Sequence, residues 1–245
     1  MDSLTDIVFL KKHDEYKIKN KENIENLIMF LNSLNINTNY HNKKMTRYYN
    51  NRDNKIKTIN KLLNKCSISN IKKIQSDIYK LLDESIINYI LQSIIDKCII
   101  EPGYIDLYIK IIKNITTEYK CEISNIIDKS IETIYVEKIY SKDYDGLCEY
   151  NSSSDKCIAL SLLISKLEYN NLIKNYNKSI IEKCFNKIDI NKNDTTFKYV
   201  GCLFKIFELN PLLINIFYNH IIELQKNIKC KKILFKIMDI LDLKK

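Results

Sequence analysis

Apolar residues recur at helical spacing along most of this chain, from about residue 67 to its last residues. Over 69–83, Ile71, Ile74, Ile78 and Leu81 stand on one face, and over 85–100 so do Ile87, Ile90, Leu91, Ile94, Ile95 and Cys98. A period of 3.6 residues predicts amphipathic helices. The same pattern predicts further helices over 104–115, 122–140, 156–173, 178–190, 196–209, 211–227 and 231–243. Pro211 opens one of them, at a first-turn position where a missing N–H costs nothing. Between 141 and 155 the pattern lapses, and SKDYDGLCEYNSSSD is expected to be an exposed polar loop.

The helix starts recur about every 35 to 40 residues, with one longer gap that holds the loop. Antiparallel helix pairs at that period predict HEAT- or armadillo-like stacking. The expected fold is all-α: a HEAT-like α-solenoid of about four to five antiparallel helix pairs over residues 56–245. Residues 1–55 differ. Segment 22–34 carries Ile24, Leu27, Ile28, Leu31 and Leu34 on one stripe, while 35–55 has almost no apolar periodicity. It is expected to be a linker or a flexible arm.

Composition narrows the classes further. Three glycines and two prolines in 245 residues argue against a sheet-rich or nucleotide-binding α/β fold, because turns and close phosphate approaches need glycine. Helices can be linked by short turns rich in Asn, Ser and Asp. The Lys and Asn bias resembles an A/T-rich coding genome, such as that of a large virus or a protist, and carries no chemistry. Eight cysteines show no CxxC spacing, and Cys98 and Cys184 fall on apolar stripes, so they are expected as reduced, buried, small hydrophobes. No apolar run has the length of a membrane span, and MDSLTDIVFL lacks the features of a signal peptide. A cytoplasmic protein is expected, with the sequons at Asn114, Asn151, Asn177 and Asn193 unused.

No catalytic fingerprint is present: the chain has no P-loop, GxSxG, HExxH or dinucleotide motif. Its histidines are His13, His41 and His220, and His220 lies among Phe217, Ile221 and Leu224, which suits a core or boundary residue better than a general base. Asp143, Asp145, Gly146 and Glu149 echo a calcium loop, but Ser141 and Ser152 occupy the positions that need Asp and a bidentate Glu. No enzyme, metal or cofactor is expected.

Charge gives the strongest signal. Between 41 and 65 stand Lys43, Lys44, Arg47, Arg52, Lys55, Lys57, Lys61 and Lys65 against one acid, Asp53, which is most of the net charge of +9. Tyr40, Tyr48 and Tyr49 interleave with them. Two readings stand side by side. Cations and exposed tyrosines can hold single-stranded RNA through phosphate attraction and base stacking; about six phosphate contacts would give a slope of log K on log salt near −4. The alternative is a solvated arm. Lys229, Lys231, Lys232 and Lys236 form a second, weaker patch, for which a solvated face is favoured.

The stretch IIDKCIIEPGYIDLYIKI resembles the end of the first repeat in the middle domain of translation initiation factor 4G, with Lys97, Glu101, Pro102, Tyr104 and Tyr108 at the matching positions. LLNKCSISNIKKI (62–74) is similar to that domain's entry motif through Leu63, Asn64, Lys65 and Ser67. KKILFKIMDILDLKK (231–245) resembles its close through Phe235, Asp239, Leu241, Asp242, Leu243 and Lys244. The resemblance covers roughly residues 56–245. Departures are Ala159 and Ser165 where the family has glycines, one positive charge fewer in the closing motif, and no motif for a cap-binding protein.

The resemblance implies a non-enzymatic scaffold that binds and stimulates a DEAD-box RNA helicase of the initiation factor 4A type and contacts RNA, with other initiation factors as further partners. It puts helicase contacts around Leu62, Leu63, Asn64 and Lys65 at one end and around Lys232 and Phe235 at the other. Leu62, Leu63 and Phe235 could equally be repeat core. Relatives in mRNA decay or splicing share the module, and a protein-only HEAT-like adaptor is the alternative.

Overall fold

The computed structural model describes residues 38–136, 140–141 and 143–244, with side chains from residue 51 onward. Segment 22–34 lies outside the described residues. The chain divides into two compact units, Met1–Lys55 and Ile56–Lys245.

Every regular element among the described residues is helical. The ten α-helices are α1 (Thr38–Leu63), α2 (Ile71–Tyr79), α3 (Ile87–Ile100), α4 (Ile105–Tyr119), α5 (Ser124–Ile134), α6 (Tyr144–Tyr169), α7 (Tyr176–Lys187), α8 (Asn193–Leu209), α9 (Leu212–Asn227) and α10 (Lys231–Asp242). A 3₁₀ turn, Pro102–Tyr104, joins α3 to α4. In the unit 56–245, α3 packs on α4, α5 and α6, α6 on α7 and α8, and α8 on α9 and α10. Extensive contacts therefore reach no further than three helices along the chain, which is the solenoid-like, quasi-one-dimensional pattern of an all-α repeat array.

The stripes read from the sequence are the buried faces. Ile90, Leu91, Ile94, Ile95 and Cys98 of α3 are fully buried, as are Ile180, Ile181 and Cys184 of α7. With glycine scarce, left-handed backbone near the helix ends falls to Lys120, Asn171 and Asn175. Asn tolerates that region better than most residues. Five of the eight cysteines are buried and all are free thiols. Burial pushes the Cys98 and Cys184 thiols far above the usual range, so they pack as apolar groups.

Two expectations are corrected. The stretch 35–55, read as a linker or arm, is helical from Thr38. No Pro or Gly interrupts it, and in its last turns Ile59 and Leu63 enter the core. Mean polarity hid a helix that has an apolar face only at its end. The loop expected over 141–155 is instead the first half of the 26-residue α6. Asp143 caps it, its Oδ1 accepting the Gly146 N–H at 2.8 Å, and Ser154 and Cys157 turn inward on the same stripe as Ser161 and Ser165. Small polar residues carry that face, so hydrophobic periodicity missed it.

The most extensive interface is α6 against α8. A Cβ built on Gly201 would stand 2.9 Å from Ile158 Cδ1, so the close approach of these helices rests on a glycine in α8. Ala159 and Ser165 of α6 are both buried, and Ser165 Oγ donates to Asn177 Oδ1 at 2.7 Å. Gly201→Leu should lower stability by about 1–3 kcal/mol through overpacking. Gly201→Ala should be near neutral, because the mobile end of Ile158 can turn aside while the helix gains about 1 kcal/mol in propensity. Denaturant midpoints at unchanged slope would read both.

Candidate functional site

The Pro-Gly turn is a tied joint. Glu101 ends α3, and its carboxylate accepts a hydrogen bond from the Tyr108 hydroxyl of α4 at 2.8 Å. Lys97, one turn earlier on α3, holds the same carboxylate at 3.5 Å. The Tyr108 ring is buried, and burial followed by the Glu101 hydrogen bond and charge raises its hydroxyl far above the ordinary range. It therefore stays a donor. Gly103 has open space around it, so the turn depends on Pro102 and on this network rather than on glycine.

The first expected contact area lies at the end of α1. Leu63 is 1% exposed and belongs to the core, so its side chain has no free surface for a partner. Leu62 is half-buried against that core. Asn64 and Lys65 are exposed. The turn beyond them is fixed by Asn70, whose Nδ2 donates to the Lys65 carbonyl and whose Oδ1 accepts the Ser67 N–H, both at 2.8 Å. That geometry thrusts out Ile68, 85% exposed, a residue the sequence reading passed over because it sits off any stripe.

The second area is a face of α8 and α10. Lys232 Nζ lies 3.9 Å from the Phe197 ring centroid and Lys236 Nζ 3.5 Å from that of Phe204. Lys205 adds a third ammonium, 5.4 Å from Phe204. Phe197 and Phe204 are seven residues apart on α8, while Lys232 and Lys236 are four apart on α10, so two helical periods mesh across the seam. Each such contact stabilises by about 0.5–1 kcal/mol at an exposed site. Asp239 approaches Lys236 at 3.8 Å and Glu208 holds Lys205 at 2.9 Å. Beside this face Phe235 stands 61% exposed, with Met238 also exposed. The patch expected to be simply solvated is thus partly a supported one. Its rings already carry ammonium groups, which leaves little aromatic face for stacking bases.

The structure does not bring the two areas together: α1 and α10 make no extensive contact. Of the expected RNA-contacting residues, Lys43, Lys44, Arg47, Tyr48 and Tyr49 lie on the backbone of α1, and their side chains fall outside the described residues. Arg52 and Lys55 are half-buried and Lys57 is exposed. His220 is exposed, its ring packed beside Phe185 and Phe217. Among the described residues no cluster of His, Cys, Asp or Glu could hold a metal ion, and no helix is long and apolar enough to cross a membrane.

The chain matches no protein-family model, no curated protein and no solved structure.

Tyr108→Phe should cost about 1 kcal/mol: it removes the only donor from α4 to Glu101, while Lys97 still pairs with that carboxylate. Thermal melts at neutral pH would check this, with Gly103→Ala as a variant expected to melt like the unaltered chain.

Proposed function

We propose that this chain is a non-enzymatic, cytoplasmic helical scaffold that binds a DEAD-box RNA helicase and contacts RNA, in the manner the resemblance to the initiation factor 4G middle domain implies. The observation that supports it most is the exposure of partner-facing residues at both places the resemblance indicates: Asn64 and Lys65 after α1, Lys232 and Phe235 on α10. A helicase of this kind alternates between arrangements of two lobes. A scaffold that grips one lobe at each area favours the arrangement that fits both, by binding it more tightly than the others.

The magnitudes are adequate. Burying a Phe side chain contributes about 1.5–3 kcal/mol, and 1.4 kcal/mol of differential binding shifts a two-state population about ten-fold. Phe235 alone could supply that bias if its pocket forms in one arrangement only. The basic run 43–57 would add a non-specific, salt-sensitive hold on RNA. A second reading, a protein-only adaptor, is favoured by the apolar exposure of α9, where Leu212 is 80% and Ile216 62% exposed.

The test is the RNA-dependent ATPase rate of an initiation-type DEAD-box helicase with and without the full chain. Several-fold stimulation is expected, lost in the double variant Phe235→Asp, Lys232→Glu and reduced in Lys65→Glu. Lys65 and Phe235 are exposed, so their substitution should leave the melting temperature near that of the unaltered chain, while Lys232→Glu should cost about 0.5–1 kcal/mol with its contact to Phe197; Leu63→Asp would instead disrupt the core. No change in rate, with no complex on a sizing column, would sink the helicase reading. Binding lost in Leu212→Asp, Ile216→Asp alone would favour the adaptor.

A further inference from the structure

The last helix among the described residues, α10, packs inward against α8 and α9. Ile233, Ile237 and Ile240 form its buried face. Opposite them, within about a third of the helix circumference, stand Lys231, Lys232, Phe235, Met238, Asp239 and Asp242, all exposed. Helical arrays are kept soluble by a polar outer face on their end repeats. Here Phe235 is 61% and Met238 43% exposed at the middle of that face, one turn apart and so side by side.

The charges on α10 run against its own dipole. Negative groups suit a helix N-terminus and positive groups its C-terminus. The first turn of α10 holds Lys231 and Lys232 and no acid, while the last holds Asp239 and Asp242 and no base. Both ends forgo the stability that the opposite order would give.

What this order supplies instead is self-complementarity. Read from its N-terminus, the exposed face runs basic, basic, apolar, apolar, acidic, acidic. Turned end over end, it offers the opposite order of charges around the same apolar centre. Lys231 and Phe235 stand as far before the midpoint of the helix as Asp242 and Met238 stand after it. A two-fold axis through that midpoint sets Lys231 opposite Asp242 at both ends. It also sets Phe235 against Met238, a favourable ring–sulfur pairing. Residues 231, 235, 238 and 242 are spaced four, three and four apart, the spacing of a two-helix seam.

Other charges nearby are engaged within the chain. Lys232 lies over Phe197 and Lys236 over Phe204, and the Lys244 ammonium lies 3.7 Å from the Tyr218 ring centroid of α9. Asp239 approaches Lys236 at 3.8 Å. Lys231 and Asp242 therefore carry the pairing.

We propose that the outer face of α10 is a self-association surface, on which two copies of this chain pair their α10 helices antiparallel about a two-fold axis. A contact of one helix, about 18 Å long, is smaller than the interfaces of permanent dimers, so the pairing is weak and reversible. It does not rest on the helicase reading, although both use Phe235: a paired chain has that side chain covered.

Sedimentation equilibrium of the full chain, with neither helicase nor RNA present, tests this separately from the helicase reading. A reversible monomer–dimer equilibrium is expected. Lys231→Glu and Asp242→Lys should each weaken it about ten-fold or more, because like charges then meet at both ends. Each substitution brings to its helix end the sign that the dipole favours, so neither variant should melt below the unaltered chain. An equal mixture of the two variants should dimerise again, since every facing pair is then opposite in sign. The double variant should dimerise for the same reason. A monomer at every concentration up to millimolar, a dimer indifferent to either single reversal, or a mixture that stays monomeric would overturn the proposal.

Discussion

The closeness of α6 to α8 is the constraint on which the rest of the array depends. Gly201 sits where any larger side chain would press on Ile158, and around it Cys157, Leu160, Leu163, Ile164, Val200, Cys202 and Leu203 are all but completely buried. Two hydroxyls inside the seam are satisfied locally. The Tyr135 hydroxyl is bonded to Ser161, and Ser161 Oγ donates to the Cys157 carbonyl at 2.9 Å. An unpaired hydroxyl there would cost about 1–3 kcal/mol. Because α8 also packs against α10, one helix joins this seam to the face where Lys232 and Lys236 meet Phe197 and Phe204.

The array away from that seam is built from local ties, and the ties differ in kind. Lys97, Glu101 and Tyr108 join α3 to α4 through charge and one hydrogen bond. Lys187 Nζ donates to the Tyr135 carbonyl at 2.9 Å, linking the end of α7 to the chain after α5. Lys166 of α6 pairs with Asp106 at the start of α4, where a negative charge also suits the helix dipole. Ties between neighbouring helices make stability a sum of neighbouring interfaces. The residues proposed to meet partners sit near the two ends of that sum.

Much of this was legible in the sequence, and the reason is period. Where Ile and Leu carry a stripe, as in α3, α4 and α7, the helix and its buried face follow directly from spacing. Where small polar residues carry it, as Ser154, Ser161 and Ser165 do in α6, the stripe is invisible to hydrophobicity, and a helix was taken for a loop. The α1 helix was missed because its apolar anchor, Ile59 and Leu63, comes only at the end of a polar run. The candidate site was legible in part. Exposed Lys232 and Phe235 stood at the expected positions, but their supports, Phe197 and Phe204, lie on another helix, and only matched periods on two segments could have paired them. Leu63 shows the limit: an apolar residue in a motif reads alike whether it faces a partner or the core.

The central claim, a scaffold that grips its partner at two separate areas, is tested most directly by hydrogen exchange of the full chain with and without a DEAD-box helicase and RNA. The account predicts added protection at both the turn around Asn64–Asn70 and the α10 helix, with α3 and α7 unchanged. Protection confined to α9, or none anywhere in the presence of helicase, would contradict it.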